Sequence, residues 1–513
     1  MRDNVGLFLG KRAMLSPSVE AFVEPDLGLR LNYAELDRRC NRTADMLARA
    51  GIRPADRVAL LLMNSVEFVE SFFAIAKLGA IVVPLNWRLA PDELAFILGD
   101  SGARTLIFGA EFAAVVADLH GRGNAGTDVR DWIQAGGAAL APFARSYEAL
   151  HAAAGETPPA IGGGENDELY IMYTSGTTGL PKGAVHTHAS VIAACQTINA
   201  TEDVRYRDVY LVAVPLFHVA ALTPFTANVY RGSTSVVLRA FDPVKVWNLI
   251  EQEKVTCMIA VPAMLNVMQQ APNCRTVDCS SLRWVMSGAA PVPVTLIETY
   301  TAQGIDIHQV YGLTESCGPA CLTSPEDAVR KAGSTGKPFF HTDVRVVHVT
   351  GDDVMPGEVG EVLIRGRHLM KGYWKRPRDT AETIRDGWLY TGDLATVDDE
   401  GFVYIQDRKK DMIISGGENI YPAEIENVLL QHPDVRDAAV IGQPDEKWGE
   451  SPVAIVVAAR AIDPADILNF TSGKLARYKQ PRDIHFVEEI PRNASGKILK
   501  RVLRVRFAAP APE

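Results

Sequence analysis

A chain of 513 residues is too long for one compact unit, so a large domain and a smaller one are expected. Hydrophobic residues make up 47% of it and charged residues 22%, as in ordinary globular proteins with a sizeable core. The 52 Lys and Arg against 62 Asp and Glu give a net charge of −10, which argues against nucleic acid as the main partner.

Seven cysteines are an odd count in a long chain, and they are expected to be reduced thiols in a cytoplasmic protein. None has a His or Cys partner set with zinc-like spacing nearby, so no structural metal is predicted. The first residues lack the order of a signal peptide. Charged residues interrupt the most apolar region, 58–85, and argue against a membrane span. A cytoplasmic location is the resulting expectation.

Apolar periodicity predicts alternating helices and strands in the first part of the chain, which is typical of a parallel sheet with right-handed crossovers. The predicted elements are a helix at 33–50, a strand at 57–63, a helix at 66–78, a strand at 80–84, and further elements at 94–98, 105–109 and 113–119. The segment 120–164 is rich in Ala, Gly and Pro and is expected to be a surface excursion.

That segment contains a formal GxGxxG formed by Gly121, Gly123 and Gly126. The dinucleotide-binding fingerprint requires a strand before these glycines and a helix after them. Neither is predicted here, and we therefore interpret the match as chance.

The most informative stretch is 173–185, which reads YTSGTTGLPKGAV. It follows an apolar run that predicts a buried strand at 169–173, and a helix is predicted from about 188 to 198. Glycines let successive N–H groups point into one concavity and hydroxyls add donors, so the stretch predicts a polyphosphate-binding loop between strand and helix. It is not of the Walker type, because Lys182 is preceded by Pro181 and followed by Gly183. A flexible linker is the alternative.

The later sequence predicts a second alternating set, then a change of pattern. Strands are expected at 210–214, 235–238, 258–261, 282–286 and 307–310. Short runs with turn residues over 343–366 predict a small antiparallel barrel or sheet, and mixed α and β elements follow residue 412. The predicted fold class is α/β: a large N-terminal domain of parallel-sheet layers with a small β-barrel-like part, then a small α+β C-terminal domain.

TSGTTGLPKG resembles the signature of the adenylate-forming superfamily, which contains acyl-CoA synthetases, luciferases and peptide-synthetase adenylation domains. Further matches follow in the family's order from about residue 33 to 503. The five charges of 407–411, DRKKD, match the position at which the two family domains hinge. The resemblance thus implies an N-terminal AMP-binding domain at 1–406, a hinge at 407–411 and a mobile C-terminal lid at 412–513.

The resemblance implies a site for ATP built from several separate stretches. Small residues let the backbone approach a flat base, and an aromatic ring can stack on it. The implied phosphate loop consists of Thr174, Ser175, Gly176, Thr177, Thr178 and Gly179. The implied adenine turn and its neighbours are Ser287, Gly288, Ala289, Tyr311 and Gly312.

Charged and hydroxyl side chains of the family pattern complete the implied site. Lys182 would neutralise phosphate charge, Thr314 would bond the α-phosphate, and Glu315 would hold Mg²⁺ between the phosphates. Asp393 would accept both ribose hydroxyls, with Arg408 beside the ribose or a phosphate. Taken singly, a helix cap at Thr314 and a surface ion pair at Asp393 are the alternatives.

The C-terminal part is implied to present two faces to one site in turn. Lys497 would bridge the acid carboxylate and the α-phosphate while acyl-AMP forms. Ser415, Gly416 and Gly417 form a narrow turn that suits the thiol arm of CoA in the second step. Rotation about the hinge would exchange the two faces.

Two apolar stretches, 215–222 and 261–265, resemble the family's acid-binding walls, although plain core is an equal alternative. His218 matches the gate at the pocket mouth, and a structural histidine is the alternative. Gly312 stands where acetate-type ligases have Trp, which predicts room for a longer acid, whereas Val310 departs from the usual Gly. Each buried CH₂ contributes about 0.8 kcal/mol, enough for an alkyl chain to bind without polar contacts.

The sequence therefore predicts a ligase that joins a fatty acid of medium to very long chain to CoA with ATP and Mg²⁺. An aryl-acid–CoA ligase is the alternative of the same class. A non-catalytic acyl-adenylate or nucleotide sensor is the alternative of another class. For a lipid substrate, Arg205, Tyr206 and Arg207 are a candidate patch for peripheral membrane contact, with an ordinary loop as the alternative.

Overall fold

The computed structural model describes residues 3–123, 127–174, 180–289, 292–415, 418–445, 448–472, 474–492 and 498–507. The chain divides into two compact units. Unit one comprises residues 1–344 and 364–390, and unit two comprises 345–363 and 391–513. The predicted boundary at 407–411 stays a prediction. Of the helices in the described ranges, none is both long and apolar enough to cross a membrane.

The first sheet of unit one has nine strands and is mainly parallel. Its order is β16-β15-β14-β13-β12-β10-β11-β1-β2, with antiparallel pairs only toward its two edges. The strands are β1 (Glu20–Glu24), β2 (Leu29–Asn32), β10 (Val209–Val212), β11 (Thr234–Val237), β12 (Cys257–Ile259), β13 (Trp284–Gly288), β14 (Asp306–Tyr311), β15 (Cys321–Leu322) and β16 (Lys337–Pro338).

The second sheet of unit one has eight strands in the order β19-β9-β8-β4-β3-β5-β6-β7. It is parallel from β8 to β7, while β8/β9 and β9/β19 are antiparallel. The strands are β3 (Arg57–Leu61), β4 (Ile81–Pro84), β5 (Thr105–Gly109), β6 (Asp131–Ala135), β7 (Arg145–Ser146), β8 (Glu168–Thr174), β9 (Lys182–Thr187) and β19 (Gly372–Tyr373).

Helices cover these sheets and begin where the sequence offers capping groups. Asn32 accepts from the backbone N–H of Glu35, whose carboxylate accepts in return from the N–H of Asn32, which starts α2 with a capping box. The helices of unit one are α1 (Leu7–Leu15), α2 (Tyr33–Arg49), α3 (Val66–Leu78), α4 (Pro91–Ser101), α5 (Ala113–Gly121), α6 (Tyr147–Ala152), α7 (His188–Thr201), α8 (Val219–Arg231), α9 (Pro243–Gln252), α10 (Pro262–Gln269), α11 (Val294–Thr301) and α12 (Pro377–Thr383).

The core of unit one lies where the apolar faces of these helices pack against the sheets. Aromatic side chains that include Phe68, Phe72, Phe73 and Phe225 are almost fully buried in one cluster with residues of both sheets. Burial of this much apolar surface is the main stabilising term for unit one.

Residues 343–408 form a five-stranded sheet, and residues 413–486 form another of the same size. The first has the order β17-β18-β21-β20, with β22 on β21. The second, which lies in unit two, has the order β24-β23-β26-β25, with β27 on β26. The strands are β17 (Asp343–Val347), β18 (Gly360–Arg365), β20 (Ile384–Arg385), β21 (Trp388–Val397), β22 (Val403–Arg408), β23 (Ile413–Ser415), β24 (Glu418–Ile420), β25 (Val435–Asp445), β26 (Gly449–Ala458) and β27 (Asp483–Phe486). The helices of unit two are α13 (Pro422–Leu429), α14 (Pro464–Thr471) and α15 (Lys500–Arg506).

The predicted α/β class is confirmed, but one segment was misjudged. Residues 120–164 are not only a surface excursion, because β6 pairs in parallel with β5 and its Trp132 and Ile133 are buried. The Gly- and Ala-rich flanks hid a five-residue strand that the sheet needs as the neighbour of β5. Gly121 ends α5, as expected for a chance GxGxxG, and Gly126 lies outside the described residues.

Candidate functional site

The Ser/Thr/Gly stretch lies at a hairpin, not between a strand and a helix. Thr174 ends β8, Lys182 begins β9, and the two residues are partners in the antiparallel register. The hydroxyl Oγ1 of Thr174 donates to the carbonyl of Lys182 over 3.4 Å. The predicted phosphate ligands Ser175, Gly176, Thr177, Thr178 and Gly179 lie outside the described residues.

The predicted arrangement of strand, loop and helix is therefore wrong in one respect. Residues 182–187 form β9, and α7 begins only at His188. The extended form prevails because β9 is paired on both sides, with β8 and with β19. The N-terminus of α7 does not directly follow the loop, which leaves the loop's own N–H groups and hydroxyls as the candidate anion donors.

Lys182 is held by groups that are distant in sequence. Its ammonium forms an ion pair with Asp379 in α12 and lies 5.4 Å from the ring centroid of Tyr373. The side chains of Lys182 and Asp379 are only 19% and 29% exposed. An ammonium kept in place beside a glycine-rich hairpin is suited to neutralise an incoming phosphate.

The stretch YGLTE begins at Tyr311, the last residue of β14, and is fixed from two sides. The hydroxyl of Tyr373 donates to Oε1 of Glu315 over 2.7 Å, and the backbone N–H of Met370 donates to the carbonyl of Glu315 over 2.8 Å. His186 of β9 lies 2.7 Å, through Nε2, from the carbonyl of Thr314. Burial lowers the pKa of His186 to about 4, so the neutral ring donates Nε2–H to that carbonyl. Thr314 and Glu315 are thus tied to the strand that begins at Lys182.

Two glycines permit a close approach of backbone beside this stretch. A Cβ at Gly312 would lie 1.4 Å from the carbonyl oxygen of Gly318, and one at Gly288 would lie 2.3 Å from the carbonyl oxygen of Val310. The space that a side chain at 312 would occupy is filled by backbone. The predicted room for a longer acid beside Gly312 stays a prediction.

The predicted adenine turn lies at the carboxyl ends of two adjacent parallel strands. Ser287 and Gly288 end β13 opposite Gln309 and Val310 of β14, and Tyr311 ends β14. Ala289 follows with a φ of 70°, in the left-handed region. Ser287 is buried, and its Oγ makes no hydrogen bond with any described residue. The carboxyl ends of parallel strands are the usual place for a ligand in such sheets.

Glu315 is the candidate metal ligand of unit one. In the described ranges, no three His, Cys, Asp or Glu side chains converge as a metal site. Mg²⁺ typically binds through one or two protein carboxylates together with substrate phosphates and water. Oε2 of Glu315 makes no hydrogen bond with any residue that the structure describes, whereas Oε1 accepts from Tyr373.

Unit two contains the predicted ribose ligands. Asp393 of β21 and Arg408 of β22 are register partners, with Nε of Arg408 3.4 Å from Oδ1 of Asp393. Asp393 is buried. Ser415 ends β23 and is also buried, while Gly416, Gly417 and Lys497 lie outside the described residues.

His218 occupies the position that precedes α8, with its ring centroid 4.5 Å from that of Phe217. The ring of Phe217 meets that of Trp87 edge-on at 6.0 Å. Leu216, Phe217, Ala221 and Leu222 are buried, so half of the eight residues of this predicted wall belong to the core. His218 is the polar member of an otherwise aromatic and aliphatic surface.

Sequence reasoning missed three residues that hold the site: His186, Tyr373 and Asp379. Tyr373 and Asp379 lie almost 200 positions after Lys182, and no local pattern connects them with it. The one available signal was the Gly-Tyr-Trp of 372–374, since aromatic residues after a glycine favour a short strand.

Comparisons with known proteins agree with this arrangement. Residues 9–374 match the AMP-binding enzyme family, and residues 424–497 match the AMP-binding enzyme C-terminal domain. The long-chain-fatty-acid–CoA ligase FadD13 of Mycobacterium tuberculosis is 48% identical, over 99% of this chain and 100% of its own. A feruloyl-CoA synthase of an Amycolatopsis species is 43% identical, over 98% of this chain and 99% of its own.

A solved structure extends the similarity to the whole fold. The o-succinylbenzoate coenzyme A synthetase of Bacillus subtilis, in complex with ATP and magnesium ion, aligns with a TM-score of 0.86 at 32% identity. The alignment covers 98% of this chain and 99% of that one. The chain therefore belongs to the AMP-binding enzymes, the adenylate-forming superfamily whose signature its hairpin carries.

Proposed function

We propose that the protein is an ATP-dependent, AMP-forming ligase that joins long-chain fatty acids to CoA. One observation carries the proposal: the carboxylate of Glu315 and the ammonium of Lys182 are held around a single tyrosine, beside the hairpin that contains the family signature. A carboxylate for Mg²⁺ and a fixed ammonium for phosphate are what adenylate formation requires. The full-length similarity to a long-chain-fatty-acid–CoA ligase supports the choice of substrate.

The chemistry proceeds in two steps. The acid carboxylate attacks the α-phosphorus of ATP and pyrophosphate leaves, which gives acyl-AMP; the thiol of CoA then attacks the acyl carbon and AMP leaves. In this proposal, Lys182 and Thr314 would stabilise the charge that develops on the phosphates in the first step. Bound Mg²⁺, held by Glu315, would supply further neutralisation of that charge.

The candidate ligands for the adenine base belong to unit one, and those for the ribose belong to unit two. Gly288 and Tyr311, at the carboxyl ends of β13 and β14, form a flat backbone surface and a ring for adenine. Asp393 offers two acceptor oxygens for the ribose hydroxyls, with Arg408 beside it. We place the protein in a reducing compartment such as the cytoplasm, because its seven cysteines are free thiols.

A panel of acids tests the substrate class. Pyrophosphate release is measured with octanoic, hexadecanoic and tetracosanoic acids and with ferulic and benzoic acids, each with and without CoA. The expected result is release with the long fatty acids, and acyl-CoA and AMP only when CoA is present. Preference for ferulic acid would overturn the fatty-acid assignment, and failure to release pyrophosphate with any acid would favour the sensor alternative.

The role of Lys497 is tested by separating the half-reactions. The expected effect of Lys497→Ala is loss of acyl-AMP formation with retained conversion of synthetic acyl-AMP and CoA to acyl-CoA. Lys474→Ala is the control, since Lys474 is exposed and its ammonium lies over the ring of Phe470. Equal loss of both half-reactions would contradict the assigned role.

A further inference from the structure

Tyr373 occupies a position that connects two parts of the candidate site. It lies on β19, where it is the register partner of Ala184, two residues after Lys182. Its backbone N–H donates to Oγ1 of Thr380 in α12 over 2.9 Å. The backbone of Tyr373 is therefore fixed by β9 on one side and by α12 on the other.

The side chain of Tyr373 contacts both charged groups of the candidate site. Its hydroxyl donates to Oε1 of Glu315 over 2.7 Å, and its ring centroid lies 5.4 Å from the ammonium of Lys182. Lys182 in turn is paired with Asp379. A single aromatic residue thus holds the anionic and the cationic member at a set separation.

We infer that Tyr373 is a positioning residue that sets the Mg²⁺ affinity of the site by orienting the carboxylate of Glu315. The inference rests on the proposed function, because Glu315 is assigned to Mg²⁺ only there. A phenol that donates to one carboxylate oxygen fixes the rotation of the group and leaves the other oxygen, Oε2, for a ligand. Hydrogen-bond partners of metal ligands typically change metal affinity by about 10- to 100-fold when they are removed.

Tyr373→Phe isolates this effect, because it removes the hydroxyl and keeps the ring beside Lys182. Binding of Mn²⁺, a paramagnetic substitute for Mg²⁺, is measured by electron paramagnetic resonance on the full-length protein with an α,β-methylene analogue of ATP. The variant is expected to bind Mn²⁺ about 10- to 100-fold more weakly. In pyrophosphate release, it is expected to need more Mg²⁺ for half-maximal rate and to approach the wild-type rate at high Mg²⁺.

Two further variants make the result specific. Tyr147→Phe removes the same kind of bond, from Tyr147 to Glu70, in a part of unit one that has no assigned role in ligand binding. It is expected to leave Mn²⁺ binding unchanged. In the Glu315→Gln background, Tyr373→Phe is expected to cause no additional weakening, because the group it positions is already altered.

The outcomes separate the inference from the proposed function. Wild-type protein without pyrophosphate release for any acid would refute the proposed function, whatever the variants do. With an active wild type, unchanged Mn²⁺ binding in Tyr373→Phe would refute the inference. A uniform rate loss that high Mg²⁺ does not relieve would assign Tyr373 a purely structural role, as would an equal change in Tyr147→Phe.

Discussion

Two tyrosine–carboxylate pairs in unit one use the same bond for different purposes. Tyr147 donates to Glu70 over 2.9 Å, and Tyr373 donates to Glu315 over 2.7 Å. The Glu70 side chain is 0% exposed, and its second oxygen accepts from Arg39. Glu315 is partly exposed, and its second oxygen has no partner among the described residues.

The two pairs differ in how many carboxylate oxygens are bonded within the protein. Both oxygens of Glu70 are bonded, one by Arg39 and one by Tyr147, and these bonds join α3 to α2 and α6. Only Oε1 of Glu315 is bonded to a described residue, so Oε2 is open to a cation. A buried carboxylate with both oxygens bonded inside the protein stabilises the fold, whereas one with an oxygen that has no described partner can bind a ligand.

Glu315→Gln is the largest test of this contrast. Adenylate formation is expected to fall about 10³-fold, or about 4 kcal/mol, because a neutral amide is a poor Mg²⁺ ligand. The thermal midpoint is expected to shift by no more than about 2 °C, since the group is not a buried charge. Single-turnover kinetics measure the rate of adenylate formation, and calorimetry measures the thermal midpoint. A large loss of stability with little loss of rate would place Glu315 with Glu70.

Glu70→Gln is expected to show the opposite pattern. The change leaves the Arg39 guanidinium without its anion and is expected to cost about 2–3 kcal/mol of unfolding free energy. The rate per folded molecule is expected to stay within about twofold of wild type. Urea unfolding measures the unfolding free energy, and pyrophosphate release measures the rate. If adenylation fell by an order of magnitude at unchanged stability, the assignment of Glu70 to structure would be wrong.

Glu70 also predicts a pH dependence of stability. Burial raises its pKa to about 7, in opposition to the nearby guanidinium of Arg39. Because this is above the ordinary value of 4.5, the unfolded state loses its proton first as the pH rises. Stability is expected to fall between about pH 4.5 and 7, by at most about 1.4 kcal/mol per unit of the pKa difference.

Burial also raises the pKa of Glu24 to about 7, so Glu24 contributes to the pH dependence of stability in the same window. The quantity to compare is therefore the difference in unfolding free energy between wild type and Glu70→Gln at each pH. Urea unfolding at several pH values from 5 to 8 provides it. The variant is expected to have the flatter profile. Parallel profiles would show that Glu70 does not titrate in this window.

Tyr147→Phe is the smallest of these changes. It removes one donor from a buried carboxylate that keeps Arg39, and about 1–2 kcal/mol of stability is expected to be lost. Adenylation is expected to be unaffected. A loss as large as that of Glu70→Gln, measured by urea unfolding, would mean that the phenol and not the guanidinium is the main partner of Glu70.

The sequence predicted elements whose signals are local. The helix at 66–78 has the predicted bounds, because apolar spacing and the capping residues Ser65 and Gly79 act within a few positions. The element predicted at 105–109 also has the predicted bounds and is a strand. The order of the motifs, through the superfamily resemblance, predicted the family. The placement of Thr314 beside the strand of Lys182 follows from pairing between distant segments.

What the sequence could not predict depends on long-range pairing and burial. Gly183 to Thr187 form a strand paired along its length with β8 and, at Ala184 and Val185, with the distant β19, whereas local pattern favoured a loop before a helix. Glu70 was visible only as a charge within an apolar region. Nothing in its neighbourhood showed that Tyr147 and Arg39 would bond both its oxygens, because both lie in other elements.

The pairing of β19 with β9 has a consequence for how the protein is made. Until Gly372 and Tyr373 leave the ribosome, the outer backbone groups of β9 have no strand beside them. At roughly 5–20 residues per second, the intervening stretch of about 190 residues takes on the order of 10–40 s to synthesise. During that interval the outer edge of β9 is unpaired in the nascent chain, and an unpaired strand edge is open to pairing with another strand.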